Sequence, residues 1–464
     1  MSDNKPTRLP LIATADNRAQ NPTKDARLIN GFTEKSVTGD IYCYKRPGVN
    51  SFTIPSTPGA IGRGVYHWNT IIYSVFNGSF FGRTTLLGAV NNTGMYHFVP
   101  SMGASPVLFF KNDFHAYVVS AGGVLTTVVD GDYPIETVPG AVYIDGTIYV
   151  MTPSGHIFGS ELNAPLDWDP LNVILAQIES DGGVALAKQQ NYLIAFKQHS
   201  VEVFYDAANA AGSPLQRIEA AKLSVGCAAA ESVVDASGVL IWLSASNQGQ
   251  FNIWKMEGLK ASQISTAPVE RILLTVDRSA VRGLTFQAGG HTFYCLNLGG
   301  LGSAINGEYT LVYDLEEKEW FLWQDTSGDC WNYVDSISDD VSTYLQGRTS
   351  GKLSTPDSES YSDDGVLFTF DLYTPNFDGG TRLKKTCNLM EIAADQVAGN
   401  YLDCYYSDDD YQTWSNVRTF DLGLERPLLP EWGTFRRRAH RFSHRLDKPL
   451  RIKAADLHID LGTL

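Results

Sequence analysis

The sequence predicts an all-β fold: a β-propeller of about six or seven blades, an extended N-terminal arm, and a C-terminal antiparallel β-sandwich acting as a platform. Three observations carry this reading. Helical periodicity is almost absent from the 464 residues. A unit of short β-type runs separated by Gly, Asn and Asp turns recurs through the middle of the chain. Beyond about residue 355 the texture changes.

Residues 1–60 contain few strand-like runs and are assigned to the arm, which packs on the platform. The start has no positive segment followed by an apolar one, so no secretory signal is read there. From 61 to 355 the repeat reads strand, tight turn, aromatic or β-branched strand, second turn, third strand. Its first turns fall at Asn69, Asn112, Gly146, Asn191, Gly238, Gly290 and Asp340, spaced by 43, 34, 45, 47, 52 and 50 residues. A period of about 40–50 residues is that of a propeller blade. Such a meander cannot bury both faces alone and must stack on its neighbours. Pairs such as Ile71 and Tyr73, Ile148 and Val150, or Ile241 and Leu243 recur at period two, as expected of inner strands.

One helix is predicted, running from Val269 to Leu274, with Thr266 as cap and Pro268 in its first turn. The polar, acidic stretch 354–365 reads as a domain boundary. Residues 366–464 then supply six or so strands of the sandwich, among them LFTFDLYTP, TCNLMEIAAD and LRIKAADLHIDLG.

Composition narrows the function. With 43% hydrophobic, 19% charged and 11% aromatic residues, the chain can bury a large core and is not globally disordered. A net charge of −15 argues against a protein that holds nucleic acid with its whole surface, though not against a local basic patch. No stretch approaches 18 uninterrupted apolar residues, so no membrane span is expected. The six cysteines are scattered and form no C-x-x-C pair, which reads as buried or free thiols made in a reducing cytoplasm.

Catalytic spacings are missing: there is no G-x-S-x-G, H-E-x-x-H, Walker A loop or strand-linked G-x-G-x-x-G. No catalytic, cofactor-binding or metal-ligating residue is assigned, and the chain is not expected to be an enzyme. His440 and His444 are four apart but lie in a strand-like run and are expected at the solvated surface. Ser407, Asp409, Thr413 and Trp414 resemble an Asp-box, S-x-D-x-G-x-T-W, with Tyr411 where that motif has Gly. The box closes a hairpin and is structural even in sialidases. A propeller-based glycan-binding or sialidase-like protein is therefore the alternative reading, although sialidases carry several boxes and an arginine triad.

The second signal is basic. Arg436, Arg437, Arg438, Arg441 and Arg445, with Lys448, Arg451 and Lys453, place eight of the 36 cations within 18 positions. On a strand they would project to both faces, so one face could not be ordinary core. Three readings stand: a solvated edge that discourages aggregation, an interface with an acidic protein such as a neighbouring copy, or contact with DNA phosphates.

Taken in order along the chain, DNRAQNPTKDARLINGFTEK and GDIYCYKRPGV, then Ser200 to Phe204, Gln216 to Glu219, Gly226 to Ala229, Ser232-Val233 and Ile264-Ser265-Thr266 with Val269-Glu270 carry a resemblance. The closing Tyr406-Ser407-Asp408, Thr413-Trp414, Arg436-Arg437 and Asp456 to Ile459 extend it. The succession resembles the tail hub, or nozzle, proteins of short-tailed bacteriophages, the packaged-DNA stabilisation family. That resemblance implies a structural virion protein with no cofactor, assembled in the host cytoplasm into a homohexamer below the portal adaptor. It further implies partners: the adaptor, a tail fibre or spike protein, and genomic DNA that passes without sequence-specific binding, with no stable membrane insertion. An acidic channel lining would repel the phosphate backbone and let DNA slide. The arginines are accordingly expected at subunit or adaptor contacts.

Overall fold

The computed structural model describes residues 6–11, 25–209, 211–245, 249–274, 276–299, 309–339 and 341–462. Seven four-stranded meanders surround one axis, and the first strand of each lies beside that axis. Blades 1 to 6 span residues 62–89, 97–127, 142–175, 183–217, 234–263 and 282–323. Blade 7 takes three strands from 333–357 and its fourth from Gly48–Thr53, which lies before blade 1 in the chain.

Several first turns are two-residue hairpins with both residues in the left-handed region: Asn69-Thr70, Asp145-Gly146, Ser237-Gly238 and Gly289-Gly290. That backbone matches the right-handed twist of the strands it joins, and Asn, Asp and Gly tolerate it best. Asn112 differs. It joins the second and third strands of blade 2, whose first strand is the short His97–Pro100. The expected unit is one strand out of register there, because the first turn of blade 2 lies between Pro100 and Val107. Asp340 lies outside the described residues.

The runs that suggested period two are second strands, and they are buried on both faces. In Thr147–Met151 every residue is buried. Each second strand is sandwiched between neighbouring blades, so its apolar run is continuous. Polar clasps cross the junctions. Gln346 donates to Val75 O (2.8 Å) and accepts from Gly64 N (2.7 Å), Lys111 Nζ reaches Thr137 and Val138, and Tyr294 donates to Ser232 O. The helix spans Ala267–Leu273 with Pro268 in its first turn. Thr266 makes no side-chain cap; Glu270 folds back to accept from Ser265 Oγ at 3.0 Å instead.

The sandwich is built from both ends of the chain. One sheet runs Gly31–Lys35, Ile41–Lys45, Arg451–Leu461, Lys385–Ala394, Leu428–Phe435, and Thr7–Arg8 pairs with Arg451–Leu461. The other runs Arg27–Ile29, Phe370–Tyr373, Ala439–His444, Tyr401–Ser407, Arg418–Asp421. It continues blade 6, because Arg27–Ile29 pairs in parallel with Trp320–Trp323. The stretch expected as an arm thus supplies strands to both sheets and to blade 7. Each is only three to six residues long apart from Thr7–Arg8. Gly31–Lys35 and Ile41–Lys45 form a local hairpin, but the pairings that place these strands in the sheets and in blade 7 reach hundreds of residues along the chain, so no local pattern announces them.

Propeller and sandwich share one core. Phe286 and Phe293 of blade 6, Val49 of blade 7, and Phe370, Leu372 and Phe442 of the sandwich belong to the same buried cluster, with Trp323 and Trp331 between them. Burial of each phenylalanine contributes about 1.5–3 kcal/mol.

Arg46 stands at this junction and is fully buried. Its guanidinium donates to both oxygens of Asp363 (2.9 and 2.7 Å), to Asn30 Oδ1, and to the carbonyls of Pro47 and Gln324. The rings of Phe368 and Trp331 lie 3.6 and 4.9 Å from it. Asp364 caps Ser51 of the closing strand, so the boundary stretch 354–365 is a clasp and not a free linker. Arg46→Met should destabilise the protein by about 3–5 kcal/mol, the range for removing one partner of a buried pair. Denaturant unfolding that moves by less than about 1 kcal/mol would show the clasp to be unimportant.

Candidate functional site

The arginine-rich segment enters the sandwich as the strand Ala439–His444. One of its faces is core after all: Arg438, His440, Phe442 and His444 are all buried. Arg438 therefore leaves the set of interface candidates. Its guanidinium makes a two-pronged pair with Asp408 (2.7 Å for each bond), donates to Trp432 O, and lies against the rings of Tyr406 and Phe435. A buried cation is tolerable when its donors are satisfied this fully. Arg441, on the other face, pairs with both oxygens of Asp371 at 2.9 and 3.0 Å between Tyr373 and Tyr405.

The histidines also depart from expectation: both are buried, not solvated. His444 sits in a polar chain, with Nε2 2.7 Å from Asn400 Oδ1 and Nδ1 3.5 Å from Lys45 Nζ. This arrangement makes Nε2 the donor and Nδ1 the acceptor of a neutral ring. Burial, then Lys45, lowers its pKa to about 3. Burial and Arg438 do the same for His440.

Arg436, Arg437 and Arg445 remain outward. Arg445 and Arg436 are exposed, and Arg436 donates to Arg382 O at 2.8 Å. Arg437 is half-buried, 3.5 Å from Asp410. Beneath them Lys385 is buried, its ammonium held by the carbonyls of Thr381, Leu383 and Arg436. Arg382 and Lys384 are exposed beside it. Lys385 thus draws two loops into one basic end of the sandwich. Sequence reasoning missed Arg382, Lys384 and Lys385 because they lie some 50 positions upstream of the arginine run.

The Asp-box-like segment is a closed hairpin in the sandwich. Asp409 Oδ1 accepts from Ser407 Oγ and the amides of Gln412 and Thr413 (2.8, 3.1 and 2.9 Å), and Oδ2 accepts from Thr413 Oγ1. Led by the Thr413 hydroxyl, these bonds lower the Asp409 pKa to about 2. Tyr411 takes the left-handed conformation that Gly would normally supply, with φ 62°. Its buried ring compensates: the hydroxyl donates to Thr374 O at 2.7 Å, and Trp414 packs edge-on to it and to Tyr373. All these bonds stay within the chain, which gives the hairpin a structural part.

The propeller axis holds a cavity of about 610 Å³ lined by Tyr66, His97, Glu231, Asp235, Asp335 and Asp339, among others. Its carboxylates act as ties. Asp335 accepts from Val65 N (2.8 Å) and Ser336 N (2.9 Å), joining blades 7 and 1, and burial pushes its pKa up to about 7. Glu231 lies 3.4 Å from His97. Among the described residues, His291, Asp314 and Glu316 bring ligand-type atoms within 4.8 Å of one another. Asp314 is already engaged by His291 Nδ1 at 2.7 Å and by the amides of Glu316 and Glu317. No helix among the described residues is long and apolar enough to cross a membrane.

Residues 23–337 match the phage-stabilisation family, described as Bacteriophage P22 Gp10, beta-propeller. No curated protein matches the chain. Among solved structures, it is similar to catalytically inactive virginiamycin B lyase from Staphylococcus aureus with quinupristin, at 7% identity over 66% of this chain and 98% of that one (TM-score 0.43). It is also similar to the computationally designed Ika8 protein, at 11% identity over 66% and 99% (TM-score 0.39).

The buried histidines have a measurable consequence. Their folded pKa lies below the unfolded value of about 6.5, so the unfolded chain binds protons first on acidification. The stability they confer is complete above about pH 6.5 and is lost as pH falls toward 3. Asp335, with its raised pKa, works in the opposite sense, so the effect is best read against a variant. Relative to wild type, His440→Phe should lose less stability between about pH 6.5 and 4.5, by up to about 1.4 kcal/mol per pH unit. Parallel unfolding curves for the two proteins across that range would refute the assignment.

Proposed function

The chain belongs to the phage-stabilisation family of β-propellers, and from that premise we propose that it is a tail hub, or nozzle, that retains packaged DNA within a virion. Six copies form a ring below the portal adaptor, extend the DNA channel, and offer a dock for tail fibres or spikes. The observation that carries this reading is the family match, which covers about two thirds of the chain.

Physical features support it. A conduit must bear load without shearing, and the core shared by propeller and sandwich makes the chain one block. It must also let DNA slide. Lumenal cations would create a binding well at each phosphate, whereas an acidic wall keeps the backbone centred. A net charge of −15 per chain suits such a wall. Arg438 and Arg441 are paired within the chain, which removes two sticky cations from any lumen. Arg436, Arg437 and Arg445 are directed at subunit or adaptor contacts. In this role the chain is not an enzyme and needs no cofactor.

Native mass measurement tests the reading. The purified protein, alone or with the tail complex of the same phage, should give a species near six times 51.0 kDa. A chain that stays monomeric in both conditions, or that is missing from purified virions, would overturn it.

A further inference from the structure

We propose that the outer surface of blades 2 and 3 is the acidic half of a head-to-tail contact between copies of this chain, whose basic half is the sandwich end around Arg382 and Arg436. The inference rests on the ring reading above and specifies its interface.

The charge is distributed very unevenly. Residues 112–187 contain ten carboxylates and no Lys or Arg; Glu179 and Asp181 pair with Lys222 and Lys197, and seven of the others fall in the loop 128–141 and blade 3. It is also a built surface. The loop 128–141 is laid over the twelve-residue outer strand Ala164–Leu175 of blade 3. Asp130 accepts from Trp168 N at 2.9 Å, and Tyr133 packs edge-on to the buried Trp168 ring at 4.9 Å. Loop and strand together present Val129, Ile135 and Leu171 to solvent at 87%, 90% and 72% exposure, beside exposed Asp132, Glu136 and Asp167. Among the described residues no ion pair reaches those three carboxylates. Grouped exposed aliphatics rimmed by charge of one sign mark a protein contact. A nucleic acid would be repelled from it.

The complementary surface is on the same chain. Arg382, Lys384, Arg436 and Arg437 cluster over the buried Lys385, with Asp378 beside Arg382 and Asp410 beside Arg437. Leu461, 64% exposed and paired across the sheet with Lys385, adds an apolar element. The two surfaces cannot meet within one molecule. The sandwich joins blade 6, and in a ring of seven the blades opposite blade 6 are 2 and 3. Complementary patches at opposite ends generate heterologous association, which closes into a ring when the rotation permits.

Charge reversal tests it. Arg382→Glu with Arg436→Glu, or Asp132→Lys with Asp167→Lys, alters exposed side chains and should leave the circular dichroism and melting temperature unchanged. Each pair should weaken assembly by about tenfold or more, since like charges replace opposite ones across a desolvated contact. Mixing the two variants, or combining all four changes in one chain, should restore the assembly, and added salt should weaken the wild-type contact. A wild-type ring that neither reversal disturbs, or reversed surfaces that do not rescue each other, would overturn this interface and leave the ring intact. A wild type that never assembles would overturn both.

Discussion

The architecture depends on one strand that arrives out of order. Blade 7 has only three strands after residue 332, and its fourth, Gly48–Thr53, is made before blade 1 begins. Closing the ring with that strand ties the start of the propeller to its end, where an open ring would leave an unpaired sheet edge. The same closure fixes the sandwich. The chain enters and leaves the propeller at one junction, so its flanking segments meet there and pair with each other. Arg46 and Asp363, 317 positions apart in sequence, lock the crossing.

Buried charge is a recurring device in this fold. Arg46, Arg438, Lys45 and Lys385 are all buried, and the two arginines are satisfied differently from the two lysines. Arg46 and Arg438 take a carboxylate and aromatic faces, while Lys385 takes three carbonyls. Lys45 takes the Leu446 carbonyl, His444 and the ring of Phe368, and burial lowers its pKa to about 7. Such sites add little net stability over apolar packing, but each demands a single arrangement of the segments that supply its partners. Where segments from distant parts of the chain must find one register, that demand selects among alternatives. The cations left over, Arg382, Lys384, Arg436, Arg437 and Arg445, are then available for contacts with other molecules.

The molecule is electrostatically polar on a large scale. Acid is concentrated in blade 3 and the loop 128–141 that leads into it, and base at an end of the sandwich. A ring built on that polarity would associate readily at low ionic strength and would neutralise its own extremes at the interfaces. The charge that remains is negative, which suits a passage for a polyanion.

Much of the fold was legible in the sequence, because blades are local. A meander of adjacent strands and left-handed two-residue turns leaves a period of about 45 residues that needs no partner to be seen. The all-β class, the propeller, the helix near residue 270 and six C-terminal strands follow from runs that lie together in the chain, whereas the strand Leu428–Phe435 is not read from them. What only the tertiary structure decided are pairings over hundreds of residues. These are the closing strand of blade 7, the pairing of Thr7–Arg8, Arg27–Ile29 and Ile41–Lys45 with C-terminal strands of the sandwich, and the parallel seam between Ile29 and Leu322. The roles of the arginines belong to the same class. Alternation shows that Arg438 and Arg441 face opposite ways, but not that Asp408 and Asp371 wait there. Which charges are buried and which are free depends on partners that no local pattern encodes.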